Sequence, residues 1–155
     1  MHKFPLHGPA MKRSTFLALI PLLLAGCVNT SATYYIDGPE HSITLRAEQE
    51  YFWNDEVLVK MVAARTPDCQ RLFPMTALPA ADLDIQLFNG GDGVYSVRVG
   101  KEVMRIETQT CTRLTEPTQE ELGERLGAFK LDEEKKMVFE KDSAAAAATP
   151  APQAN

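Results

Sequence analysis

Leu83 to Cys111 reads LDIQLFNGGDGVYSVRVGKEVMRIETQTC, and the alternation inside it decides the fold. Leu83, Ile85 and Leu87 alternate with Asp82, Asp84 and Gln86, the pattern of a strand with one face on a core and one in water. Asn89-Gly90-Gly91-Asp92-Gly93 interrupts it as a loop, and the chain returns from Val94 to Val99. Gly100-Lys101 then places glycine first in a two-residue turn, which suits a type II′ hairpin. Across that turn, positions summing to 201 face each other: Val97 meets Met104, Tyr95 meets Ile106, and Ser96 meets Arg105 on the opposite side. Apolar sorts with apolar and polar with polar, so the segment predicts a three-strand antiparallel meander ending near Cys111.

Upstream, the same period of two recurs. Ile43, Leu45 and Ala47 alternate with Thr44, Arg46 and Glu48, and the run continues into Tyr51-Phe52-Trp53. If Asn54-Asp55 is a two-residue turn, a second strand spans Glu56 to about Arg65, and Tyr51 faces Leu58, Ala47 faces Val62, and Leu45 faces Ala64. The other face of that strand carries Val57, Val59 and Met61 beside Phe52, so the strand is expected to be central and buried on both sides. Tyr51 and Trp53 are the strongest binding candidates by residue type, since aromatic side chains dominate interface energetics. On an extended strand, however, they share one face and Phe52 takes the other, which favours core for this run.

The remaining elements are read more coarsely. Tyr34-Tyr35-Ile36 suggests a short edge strand before the turn Asp37-Gly38-Pro39. Thr66-Pro67-Asp68 ends the long strand, and residues 69–81, with Pro74 and Pro79, read as an irregular connection holding a short strand near Arg71 to Met75. Past Thr115, Glu116, Pro117, Glu120 and Glu121 resemble a first helical turn. Leu122, Leu126 and Phe129 follow at i, i+4 and i+7, which predicts a short amphipathic helix packed on the sheet. Leu131 to Glu140 either continues that helix through Asp132-Glu133-Glu134-Lys135 or turns so that Met137-Val138-Phe139 adds a last strand, and Gly127 and the β-branched and aromatic residues favour the strand. The Ala/Pro-rich residues 143–155 read as a disordered tail. The fold expected is mainly β with a minor α element: one domain over residues 34–142, built as a small antiparallel sheet or sandwich.

The N-terminal region carries an address. Lys12 and Arg13 precede an apolar run from Phe16 to Leu24, too short to cross a bilayer but suited to an export signal. Leu24-Ala25-Gly26-Cys27 closes it and resembles the lipobox of bacterial lipoproteins. That resemblance implies a signal peptide over residues 1–26, whose usual layout would be complete with a start at Met11, and lipidation of Cys27 after cleavage. It also implies three acyl chains, where one alone anchors only marginally, and a place in the cell envelope facing the periplasm. Val28 stands where aspartate would mark inner-membrane retention, so the resemblance favours the outer membrane. Residues 28–33 read as a polar tether, which could span at most about 20 Å.

Of the 16 basic residues, Lys3, Lys12 and Arg13 precede Cys27, and none of the 21 acidic ones does, leaving 13 against 21 and a net charge of −8 from Cys27 onward. This argues against a nucleic-acid partner and against electrostatic adhesion to anionic lipid. The partners expected are the membrane, through the acyl chains of Cys27, and an envelope protein or glycan.

Two further cysteines, Cys69 and Cys111, form an even pair in an oxidising compartment and read as one disulfide. A metal site would need three or four ligands, and His41 is the sole histidine past Cys27 to join them; free redox thiols are the other alternative. As a general base His41 is likewise the lone candidate, and it reads as a surface or strand-end residue. Asp82 and Asp84 share a wet face, as acid–base work requires, but so do most alternating acids. Asp92 among glycines matches one partial copy of a calcium-binding repeat, where such sites need stacked copies. No phosphate loop or dinucleotide fingerprint is present in the sequence. These observations assign no catalytic residue, metal ligand or cofactor, and favour a non-enzymatic binding or structural module. A carboxylate hydrolase and a carrier of a small apolar ligand are the rival classes.

Overall fold

In the computed structural model, described here for residues 27–142, two antiparallel sheets stack face to face. Residues 1–26, expected to be a signal peptide closing on Leu24-Ala25-Gly26, and residues 143–155, expected to be a disordered tail, lie outside the described residues. The first sheet has the order β1 (Asn29–Tyr35), β2 (His41–Glu48), β3 (Glu56–Arg65), β4 (Cys69–Pro79). The second runs β10 (Met137–Lys141), β9 (Glu124–Leu131), β5 (Asp84–Gly91), β6 (Val94–Val99), β7 (Glu102–Glu107), β8 (Thr112–Leu114). The fold is mainly β, as the alternation implies.

The meander forms in the register read from the sequence. Val97 pairs with Met104, Tyr95 with Ile106 and Ser96 with Arg105. Ile85, Leu87, Val97, Val99, Met104 and Ile106 point from this sheet into the interior, where they meet Ile43, Leu45, Val57, Val59 and Met61 from the other. All of these are 0–1% exposed, and each such aliphatic side chain contributes roughly 1.5–3 kcal/mol relative to exposure. The outer face of the second sheet is drier than its polar residues suggested: a 3-10 turn, Gln119–Leu122, lies against β5, and Phe88, Ser96, Leu122 and Ala128 are all buried.

The β2–β3 hairpin departs from the expected register. Ala47 pairs with Val59 and Leu45 with Met61, so facing positions sum to 106 rather than 109, and residues 49–55 form a loop in place of a two-residue turn. The odd shift turns the other face of β3 inward. In the expected register Lys60 would have stood on the buried side with Leu58 and Val62, and an ammonium there is costly to desolvate. In the observed one, Val57, Val59, Met61 and Ala63 are buried while Lys60 reaches the outer face and pairs with Glu48. β3 is central, with β2 and β4 on either side, but only one of its faces is fully buried.

Three other expectations are corrected. Residues 28–33 are not a tether: Val28 is 6% exposed and β1 begins at Asn29, its residues pairing with β2 from Glu48 to Ser42. The proline-containing connection is an eleven-residue strand, β4, which tolerates Pro74 and Pro79 because it is the sheet edge and one register shift accommodates the pairing. The amphipathic helix is absent from residues 122–129: after the 3-10 turn the chain turns at Gly123 and enters β9, with Phe129 in the core and Leu126 partly buried. Gly127 shows why. Its φ is +155°, and a Cβ there would lie 2.2 Å from the carbonyl oxygen of Glu140 and 2.9 Å from the Phe139 ring, a close approach of strands that only glycine permits. The last strand forms as expected, at Met137–Lys141.

Candidate functional site

The connections between strands gather at two ends of the sandwich, and the registers assign them. One end holds Cys27, the loop 49–55, the 3-10 turn Ala80–Asp82, the Gly100-Lys101 turn and the turn 132–136. The other holds residues 36–40, 66–68, 92–93 and 108–111.

At the first end, Tyr51, Phe52 and Trp53 point into solvent, 52%, 72% and 69% exposed. The expectation that this run belongs to the core is therefore overturned; β2 stops at Glu48, and the three residues sit in the loop rather than on a strand. They form one cluster: Tyr51 stacks on Trp53 with centroids 5.1 Å apart, and Phe52 meets Trp53 edge-on at 4.7 Å. Such geometries are the favourable ones for aromatic pairs. The loop closes on itself, since the Asn54 N–H donates to the Tyr51 carbonyl at 3.0 Å and the Asn54 side chain accepts from the Glu56 N–H at 3.1 Å.

Gln49 connects this loop to the N-terminus, a role that sequence reasoning missed. Its side-chain oxygen accepts from the Val28 N–H at 2.9 Å, its backbone N–H donates to the Val28 carbonyl at 2.8 Å, and its side-chain amide donates to the Asn54 carbonyl. Exposed Cys27 is thereby placed next to the aromatic loop. No local pattern marks a glutamine that bonds at a distance of 21 residues, because its partner is a backbone group.

Two clefts flank the loop. The larger, about 540 Å³ and open to solvent, is lined by Val28, Gln49, Asp55, Pro79, Leu131 and Lys135 among others. The smaller, about 140 Å³, is acidic, with Glu48, Glu50 and Glu56 around Asn54, Leu58 and Ala77.

The opposite end is stitched together. Cys69 and Cys111 are joined by a disulfide with Cα atoms 6.0 Å apart, linking edge strand β4 to the turn after β7. His41 lies 2.9 Å through Nε2 from the Thr108 hydroxyl, which itself donates to the Gly93 carbonyl at 2.8 Å; since that hydroxyl has one proton, His41 is the donor to it. Burial, and then the nearby Arg65 guanidinium, hold the His41 pKa below its ordinary value. Glu107 is also held low: burial opposes this, but hydrogen bonds from Thr110 and from the Gln109 and Thr110 N–H groups outweigh it.

The other residues singled out stay apart. Asp82 and Asp84 are exposed at the aromatic end, and His41 lies at the other, so these three residues do not converge. Asp92 sits in the β5–β6 turn with φ +51°. Among the described residues no group of three His, Cys, Asp or Glu side chains could hold a metal ion, and no helix is long and apolar enough to cross a membrane. No protein-family model, characterised protein or solved structure matches the chain.

Proposed function

We propose that this chain is a lipid-anchored protein of the bacterial cell envelope, held by acyl chains on Cys27 and facing the periplasm from the outer membrane, whose sandwich is a non-enzymatic binding or structural module. The observation that carries the reading is the placement of Cys27. It is exposed, it follows the lipobox residues Leu24-Ala25-Gly26 directly, and it precedes the buried Val28 at the very edge of the fold. An acylated Cys27 would hold this end of the sandwich against its membrane with no spacer. The outward-facing aromatic cluster supports an interaction module over a ligand carrier, and the separation of His41 from Asp82 and Asp84 leaves the acid–base set considered from the sequence unassembled.

Metabolic labelling with a fatty acid tests the anchor. The wild-type chain should incorporate label, shorten to begin at Cys27 and sediment with membranes. Cys27→Ser should give an unlabelled, unprocessed precursor; label retained in that variant would overturn the reading.

A further inference from the structure

We infer that Tyr51, Phe52 and Trp53 form a second membrane contact, seated in the headgroup and upper acyl region of the same bilayer that receives the acyl chains of Cys27. The inference rests on the lipid-anchor reading above. It starts from geometry. Consecutive Cα atoms are 3.8 Å apart, and Val28 is held on two sides by Gln49, the residue that opens the aromatic loop. Whatever surface takes up the acyl chains of Cys27 is presented to Tyr51–Trp53 at once. Because β1 starts at Asn29, no flexible segment lets the sandwich swing this end away, so contact becomes intramolecular, at the high effective concentration that short linkage confers.

The chemistry of the loop selects lipid as the occupant. Trp and Tyr combine an apolar ring with a polar group and collect at membrane–water interfaces for that reason. Three aromatic side chains more than half exposed on a single loop are an unusual apolar protrusion for a chain of net charge −8 beyond its signal. Charge limits the depth. Glu48, Glu50, Asp55 and Glu56 flank the cluster, and Lys101, Lys135 and Lys136 lie in turns at the same end. Carboxylates at the base of the loop keep its stem in water, so the rings enter the interface and the sandwich stays outside. The contact is made by aromatic burial rather than attraction to anionic lipid, and it holds at high salt.

Trp53 is the chain's single tryptophan, which makes it a reporter of its own position. The lipidated full-length mature protein is reconstituted in vesicles of phosphatidylethanolamine with a minor fraction of phosphatidylglycerol, and acylation is verified by intact mass. The expected result is a blue-shifted Trp53 emission, quenching by lipids brominated at the upper acyl carbons, and a several-fold loss of acrylamide quenching relative to an unlipidated Cys27→Ser chain expressed from position 27 onward, without residues 1–26. A Tyr51→Ser/Phe52→Ser double variant should keep its acyl chains and its melting temperature, and transfer between vesicles several-fold faster than wild type. Absence of acyl mass on Cys27 would overturn the anchor itself. An acylated, vesicle-bound protein whose Trp53 emits as in water and ignores brominated lipid would overturn this inference alone. So would shielding of Trp53 in native envelopes but not in pure lipid, which would assign the loop to a protein or glycan partner.

Discussion

The two ends of the sandwich are built on opposite terms. At the end holding residues 108–111, side chains are spent on one another: the Cys69–Cys111 bridge, the His41–Thr108–Gly93 chain and the bonds from residues 109 and 110 to Glu107. At the end beside Cys27, the loop 49–55 is held by backbone bonds and the side chains of Gln49 and Asn54, while its largest side chains face water. Three exposed aromatic rings make few internal contacts, so they add little to folding stability. The difference separates stability from surface: substitutions at the first end should alter how well the domain folds, and substitutions at the second what it touches.

The disulfide offers the strongest test. Its cysteines are 42 residues apart, and the chain-entropy estimate for a loop of that size is about 4 kcal/mol, a large part of the roughly 5–15 kcal/mol by which domains are stable. Denaturant titration of the oxidised protein and of Cys69→Ala should show the midpoint fall by a corresponding amount, with the reduced wild type matching the variant. Equal midpoints would erase the contrast between the ends.

Gln49→Ala probes the other end. It removes the acceptor for Val28 and the donor to Asn54, a cost of about 1 kcal/mol. The larger consequence should be local, seen as faster hydrogen exchange at Val28 and the loop amides while the protection of β6 and β7 stays unchanged. Uniform loss of protection would show that the loop is part of the cooperative core.

Acid should act at the disulfide end. The His41 pKa is lowered in the fold, so the unfolded chain binds the proton more readily, and the contribution of neutral His41 is lost as pH falls from the unfolded value near 6.5 towards the folded one. Glu107, also lowered, contributes above the ordinary carboxylate pKa and loses this at still lower pH. His41→Gln should flatten the first of these declines in a plot of melting temperature against pH. An unchanged slope would remove His41 from the stitched end.

The smallest effect is expected where the rings are most visible. Replacing Tyr51 and Trp53 by serine should change the unfolding free energy by less than about 0.5 kcal/mol, as for exposed sites generally. A larger fall would mean that the cluster packs rather than protrudes.

Much of this architecture was legible in the chain because some signals are local. The alternation from Leu83 to Ile106 and the Gly100-Lys101 turn specify both faces and the pairing of β6 with β7, since a two-residue turn leaves no freedom of register. The even cysteine pair pointed to the observed bridge. Other features depended on partners remote in sequence. The alternation through Ile43, Leu45 and Ala47 identifies a strand but not its register, which was decided by keeping Lys60 in water and turning Val57, Val59 and Met61 into the interior. Tyr51-Phe52-Trp53 has the composition of a buried strand and became a protruding loop because β2 had already reached its last core-facing position at Ala47. Leu122, Leu126 and Phe129 fit a helical period and lie instead on a turn and a strand, since the free edge of β5 and the close approach at Gly127 could be met only by an extended chain. Which residues are apolar, and with what local period, is a property of the sequence itself; which of them are left outside is settled by the neighbouring strands that claim the interior first.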